Sequence, residues 1–353
     1  MLRQLARLTR PVPAAGPGAA AIAVYTDPSG ELVAANESGF EGVACVDDAA
    51  RLLDVLCDVW ARTHDPDVQR WATSVSEFVL WMQGADGRWW NFVYDWSGTR
   101  NESGVTSSTG ENFWHARALS GVSNAWRTFG DERTRTAVRR GLEHAIARPA
   151  PADVRALHVL VGLRLLGDPA FADIDLEATV RRWAEEIAAC RIEGVLMNNP
   201  DERGEPHLWA HIQEGVLAEA GRALGDTGLL EVARTSAKTL WAPIARAGFA
   251  RESVTPYDVA SAAFSLDRLA LADPNGGWSE LADRARAWFD HVDRAGRAVY
   301  DRATGRVADG VDEGRVSENS GAEANIVGAQ TLIVDAVRSV ASAVELLTVP
   351  ARR

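Results

Sequence analysis

Apolar residues recur at intervals of three and four along most of the chain, the pattern of helices that bury one face. In residues 44–62, Val46, Ala50, Leu53, Leu56 and Trp60 fall on a single stripe. The same spacing predicts helices over 44–62, 67–82, 109–128, 131–147, 152–166, 174–192, 207–224, 226–247, 256–272, 277–294 and 320–346. A shorter run, Leu2–Leu8, supplies a twelfth. The breaker His64-Asp65-Pro66 separates the first two long runs. Gly130, Gly167, Gly225, Gly248 and Gly296 each stand just past a run, where a left-handed cap favours glycine. Pro243 falls inside 226–247 and predicts a kink or an early stop there.

Short turns pair these helices into antiparallel hairpins: 44–62 with 67–82, 109–128 with 131–147, 152–166 with 174–192, 207–224 with 226–247, and 256–272 with 277–294. The run 320–346 opens a sixth. A hairpin every ~45–60 residues is the spacing of helical-hairpin arrays. Four connections are long: 25–43, 83–108, 193–206 and 295–319. Each precedes the first helix of a hairpin. Antiparallel geometry then gathers the long loops and six helix N-termini at one end, around a pocket. The expected division is an N-terminal segment with a lead-in loop (1–43), one all-α barrel (44–346) and a C-terminal tail (347–353).

The residues at those N-termini are unusually polar. They include Asp47, Asp48 and Arg51 in the first run, Glu111, Trp114 and His115 in the second, and His207 and His211 in the fourth. Tyr257 and Asp258 open the fifth, and Glu318, Asn319 and Glu323 the sixth. Capping accounts for Asp153, Thr255 and Ser317. It accounts less well for adjacent Asp47 and Asp48, or for Glu318 and Glu323 flanking small residues that let a ligand approach. His207 and His211 have metal-competent i, i+4 spacing, but no third ligand follows, so no metal and no cofactor are expected. His64, His144 and His291 read as surface residues, and His158 as packing.

Composition changes this picture in three places. The 353 residues carry a formal net charge of −12, which argues against nucleic acid or an anionic membrane as partner. No stretch of ~18 apolar residues is present, so no transmembrane helix is expected. Cys45, Cys57 and Cys190 form no disulfide framework, and the apolar stretch 19–24 is short for a signal peptide, which together favour a cytoplasmic protein. A homo-oligomer is compatible with all of this. The aromatic residues are the third point: 13 Trp stand against 4 Tyr and 9 Phe. Trp60, Trp71, Trp81, Trp126, Trp183, Trp241, Trp278 and Trp288 fall in helix bodies and read as packing. Trp89, Trp90, Trp96, Trp114 and Trp209 gather at the loop end, where an aromatic face suits the apolar face of a sugar ring. The loop 83–108 and the segment 297–316 each read as a small β-hairpin over the mouth.

An all-helical hairpin toroid with acids and tryptophans at one end resembles the (α/α)6 six-hairpin glycosidase-like superfamily, which includes bacterial carbohydrate-active domains. The blocks Val46-Asp47-Asp48-Ala49-Ala50-Arg51-Leu52-Leu53 and Glu318-Asn319-Ser320-Gly321-Ala322-Glu323-Ala324-Asn325 carry the resemblance, which spans about residues 40–345. It implies an oligosaccharide or glycoside substrate. Glycosidic cleavage needs one carboxylic acid and one carboxylate across the bond. Asp47 or Asp48 is expected as one partner, because adjacent acids raise each other's pKa. Glu318 or Glu323 is expected as the other, with Glu111 in reserve. Arg51, Trp89, Trp90, Trp96, Trp114, His115, His207, His211, Tyr257, Asp258 and Asn319 are expected to bind substrate. Two alternatives stand beside hydrolysis: a sugar epimerase using His115, His207 and His211 for proton transfer, and a glycan-binding domain without turnover.

Overall fold

The computed structural model describes residues 1–348. Its helices are α1 (Leu2–Leu8), α2 (Val46–Thr63), α3 (Pro66–Trp81), α4 (Phe113–Phe129), α5 (Glu132–Ala147), α6 (Ala152–Leu165), α7 (Leu176–Ala189) and α8 (Gln213–Leu224). They continue with α9 (Thr227–Thr239), α10 (Trp241–Arg246), α11 (Pro256–Ala272), α12 (Trp278–Ala287), α13 (Ala322–Thr331), α14 (Ile333–Arg338) and α15 (Val340–Thr348). Helices α2, α4, α6, α8, α11 and α13 each pack on the next, and α13 packs back on α2, which closes a ring. Outside it, α3, α5, α7, α9 and α12 each pair with the inner helix before them, while α15 and α1 back the sixth position. The chain is an (α/α)6 toroid. Among the described residues no helix is long and apolar enough to cross a membrane.

The two rings differ as their sequences require. Outer α5 buries only Thr134, Ala137, Val138, Gly141, Leu142 and Ala145 and turns its charges to water, the one-sided pattern of a surface helix. Inner α2 buries nearly all its first three turns, including Asp47, Asp48 and Arg51. Small residues let inner helices approach closely. A Cβ at Gly121 of α4 would stand 2.6 Å from the Ala50 carbonyl oxygen of α2, closer than atoms tolerate.

Several boundaries differ from the pattern-based expectation, each for a local reason. The run 226–247 is broken at Leu240 (φ −94°, ψ −68°) into α9 and α10. Pro243 then sits in the first turn of α10, where a missing N–H leaves no helical bond unmade. The run 320–346 is three helices, broken at Leu332 and Ser339. The helix expected from 207 begins only at Gln213, because Ala210 takes a left-handed φ of 56°. The run 174–192 stops at Ala189, and Arg191–Ile192 pairs as a strand with Val195–Leu196.

The loop 83–108 is not a free-standing hairpin. Its strand Phe92–Val93 pairs with Ala44–Cys45, immediately before α2. Segment 297–316 forms two hairpins, Tyr300–Asp301 with Arg306–Val307 and Val311–Asp312 with Arg315–Val316, and the second also pairs with Ser253–Val254 before α11. The N-terminal segment belongs to the shell: α1 packs on α13 and α15, and Ala20–Ile22 pairs with Thr9–Pro11. Of the expected tail, residues 347 and 348 continue α15, and 349–353 lie outside the described residues.

The α2–α4 contact sets the width of the ring at the end that holds Asp47 and Asp48. Gly121→Val is expected to destabilise the protein by about 2 kcal/mol, the scale of overpacking in a rigid core. A lowered midpoint in urea with an unchanged slope is the result to look for.

Candidate active site

The site is built on the first turn of α2. Its N-cap is Cys45, whose sulfur accepts from Asp48 N–H at 3.4 Å. From the loop 83–108, the Asn91 carbonyl accepts from Val46 N–H at 2.8 Å, and the Asn91 side-chain oxygen accepts from Asp47 N–H at 3.1 Å. These partners satisfy the free N–H groups of the turn. The carboxylates of Asp47 and Asp48 are therefore not spent on capping and both reach Arg51, one turn further on.

Arg51 collects three acids on one nitrogen. Its Nη2 lies 3.0 Å from Asp47, 2.7 Å from Asp48 and 3.0 Å from Glu323 at the start of α13. A second guanidinium, Arg117 of α4, bonds both oxygens of Asp47 and donates to the Tyr257 hydroxyl of α11. Arg51 and Arg117 also lie over the Tyr257 ring, at 5.1 and 5.5 Å. Asp47, Asp48, Arg51 and Arg117 are buried, whereas half of the Glu323 side chain is exposed. Two donors of Arg51, Nε and Nη1, have no hydrogen-bond partner.

The two aspartates separate electrostatically. Burial raises the Asp48 carboxyl, and the neighbouring Asp47 and Glu323 charges add to the rise against the opposing pull of Arg51, bringing it to about 6. Burial acts on Asp47 in the same direction, but Arg117 and Arg51 outweigh it and hold Asp47 below the ordinary carboxylate range. Neighbouring acids pushed apart in this way assign proton-carrying and charge-holding roles.

Arg51, Arg117 and Tyr257 face a cavity of about 900 Å³ along the axis of the toroid. Above them Phe113 and Trp209 form an aromatic lip, 5.4 Å between rings, with Trp209 6.4 Å from Tyr257. Trp209 is 42% exposed and stacks on His207 at 3.9 Å.

The other sequence-predicted residues divide. Trp89 is fully buried, donates to the Val79 carbonyl and fills the space above Gly141, so it plugs the wall between the rings. Trp90 and Trp96 pack on the core, and Arg100 lies over the Trp90 ring. No tryptophan lines the cavity. Glu318 is exposed and pairs with Arg297, and Asn319 is exposed nearby. Glu111 pairs with His144, which is half-buried rather than on the surface. His115 is buried behind α4 against Trp89, His144 and His158, and burial lowers its pKa to about 3. Trp114 is half-buried, with an unpartnered indole nitrogen. Asp258 closes a capping box with Thr255.

His211 is fully buried. Its Nδ1 contacts the Asn198 oxygen at 2.7 Å and its Nε2 contacts Glu214 at 3.1 Å. Glu214 also accepts from Ser236 and from Trp241 Nε1, at 2.5 and 3.0 Å. His207 contacts the Trp209 carbonyl at 2.9 Å and Asp153 at 3.3 Å. Among the described residues, no cluster of histidine, cysteine and acidic side chains is arranged to hold a metal ion. The sequence reading missed Arg117, although a lone cation between Ala116 and Ala118 on an inner helix was a signal for it.

No family model and no curated protein matches the sequence. Solved structures do match in fold. A cellobiose 2-epimerase from Bacillus thermoamylovorans superposes with a TM-score of 0.69 at 8% identity, over 95% of this chain and 96% of that one. A sugar epimerase from a ruminal bacterium gives 0.66 at 12%, over 90% and 92%. An α-1,6-mannanase from a Salegentibacter species gives 0.62 at 13%, over 95% and 97%. At these identities the likeness is one of architecture, and it agrees with the closed double ring.

The pKa separation has a measurable consequence. Asp48 rises on folding from 3.8 to about 6, so its contribution to stability is complete below pH ~4 and is lost as pH climbs through ~6. Asp47 is shifted the other way, and its contribution is present above the ordinary carboxylate range and is lost as pH falls through its depressed value. Melting temperatures from pH 4 to 7 are expected to show Asp48→Asn gaining on the native protein as pH rises. Parallel curves would show that Asp48 is not raised.

Proposed function

We propose that this chain is a carbohydrate-acting enzyme, a glycoside hydrolase whose reacting pair is Asp48 and Glu323. The observation that carries the reading is the shared Arg51 nitrogen. It holds a buried acid raised to about 6 within reach of an exposed carboxylate at the mouth. Since both oxygens lie within 3.0 Å of that nitrogen, they stand no more than about 6 Å apart. That span suits a retaining pair, whose carboxyls are ~5–5.5 Å apart, better than an inverting pair at ~6.5–9.5 Å.

In this reading Asp48 protonates the departing glycosidic oxygen while Glu323 attacks the anomeric carbon. Asp48 then takes a proton from the water that releases the sugar from Glu323. Asp47 keeps both guanidiniums charged and in place. Phe113, Trp209 and Tyr257 supply ring faces for stacking at the lip. The names of the structural neighbours, two sugar epimerases and a mannanase, support a sugar substrate.

Proton transfer by histidine, the epimerase alternative, has less support. His115 faces away from the cavity, and both nitrogens of His207 and of His211 already face oxygen atoms. None presents a free nitrogen to a sugar. On a panel of glycosides and oligosaccharides, Asp48→Asn and Glu323→Gln are each expected to lower kcat/KM at least ~100-fold, while His115→Gln stays within tenfold. Epimerised product that disappears in histidine variants and survives the carboxylate variants overturns the reading, as does calorimetric binding of a glycan without turnover.

A further inference from the structure

The axial cavity runs from Arg51, Arg117 and Tyr257 away from Asp47, Asp48 and Glu323, which do not line it. On α2 it is lined from Arg51 to Arg62, eleven residues or about 16 Å of helix. It ends among residues exposed at the opposite face of the toroid, such as Asp58, Arg62 and the 58% exposed Val334. The lumen is therefore open at the end remote from the long loops.

Its wall is two-sided. Leu157, Leu160 and Leu163 form an i, i+3, i+6 stripe along α6, half-buried although α6 is an inner helix. Ile212 and Phe264, from the neighbouring α8 and α11 side, extend the apolar arc. The facing arc on α2 and α4 carries Asp54, Ser120 and Asn124. The lumen's charges are largely paired: Arg164 with Asp54 at 3.4 Å, Arg268 with Glu219 at 3.0 Å, and Arg286 with Asp267. Such a wall offers no net attraction to an ionic ligand.

We propose that the lumen below Arg51 is a binding site for an aliphatic chain, so that the substrate is a glycoside with an uncharged alkyl or acyl-type aglycone. The sugar sits among Arg51, Glu323 and Trp209, and the chain runs down the leucine stripe toward Val334; the sugar end rests on the function proposed above, and the chain site rests on the lumen itself. Two observations converge. A run of sugar rings calls for aromatic platforms, yet the lumen has only Tyr257 and Phe264 and is otherwise walled by leucine, isoleucine, valine and alanine on its apolar side. Its volume of about 900 Å³ is near the upper end for small-ligand sites, ~300–1,000 Å³, and exceeds the need of one sugar.

The probes are n-alkyl β-D-glucopyranosides with four to ten carbons, titrated below their micellar concentrations into the full-length protein and read by calorimetry. Affinity is expected to rise about three- to fourfold per added methylene, the increment for burying one CH2. The glycosides are expected to bind more tightly than alcohols of equal chain length. Leu160→Trp, which fills the stripe, is expected to flatten the dependence on chain length. If variant folding fails, the native series alone decides, because affinity independent of chain length overturns the proposal. A chain-length dependence untouched in a folded Leu160→Trp also overturns it, since binding then lies elsewhere. Turnover of sugars without chain-length dependence removes the aliphatic site and leaves the hydrolase reading standing. Chain-length-dependent binding with no turnover of any glycoside upholds the site and removes the hydrolase reading.

Discussion

Everything at the mouth of this toroid is arranged around one guanidinium that three carboxylates share. Arg51 is buried, and so are two of its acids, so these three ions have surrendered water that the cluster and Arg117 replace. Removing one member of such a cluster leaves a buried charge without a partner, which costs far more than the intact cluster contributes. The cluster also spans the seam between α2 and α13, the helices that join the last hairpin to the first. Ring closure and site assembly thus depend on the same contact.

The toroid meets a conflict that a solid bundle avoids. Six inner helices must be apolar enough to pack, yet their innermost faces border a space that no side chain fills. The chain resolves this asymmetrically. The α2–α4 side lines the lumen with charged and polar side chains alone, while α6 and α11 bring leucine, alanine and phenylalanine between their own Arg164, Tyr257, Ser261, Asp267 and Arg268. Away from the lumen, one group of buried polar side chains closes into a network of its own. In the group of His211, Glu214, Ser236 and Trp241, burial pushes the Glu214 carboxyl up, and His211 together with the Ser236 hydrogen bond more than reverses the effect.

The hairpin plan was legible because it depends on a periodicity each helix carries by itself. The breaks at Leu240 and Leu332 were not, since both residues are ordinary helix formers and their torsions answer to tertiary packing. In the site, Asp47, Asp48 and Glu323 were legible because acids beside small residues in a first turn are hard to assign to capping. Which acids would meet was not: Glu318, only five residues from Glu323, turns out to Arg297 instead. The tryptophans misled because loop position does not reveal which way a ring points. Trp89 turns inward over Gly141, and only Trp209 of the five stands exposed at the lip.

The clasp by Asn91 ties a surface loop to the helix that carries the acids. Its carbonyl and side-chain oxygen hold α2, and its side-chain nitrogen donates to the Thr106 carbonyl across the same loop. Connections of this length ordinarily drift in sequence and size between related chains. Here the drift is restrained at one amide, because no other side chain of that length carries both the acceptor for α2 and the donor for the loop. In evolutionary terms, position 91 should vary as little as the acids themselves, while most of the loop around it is free to be rewritten.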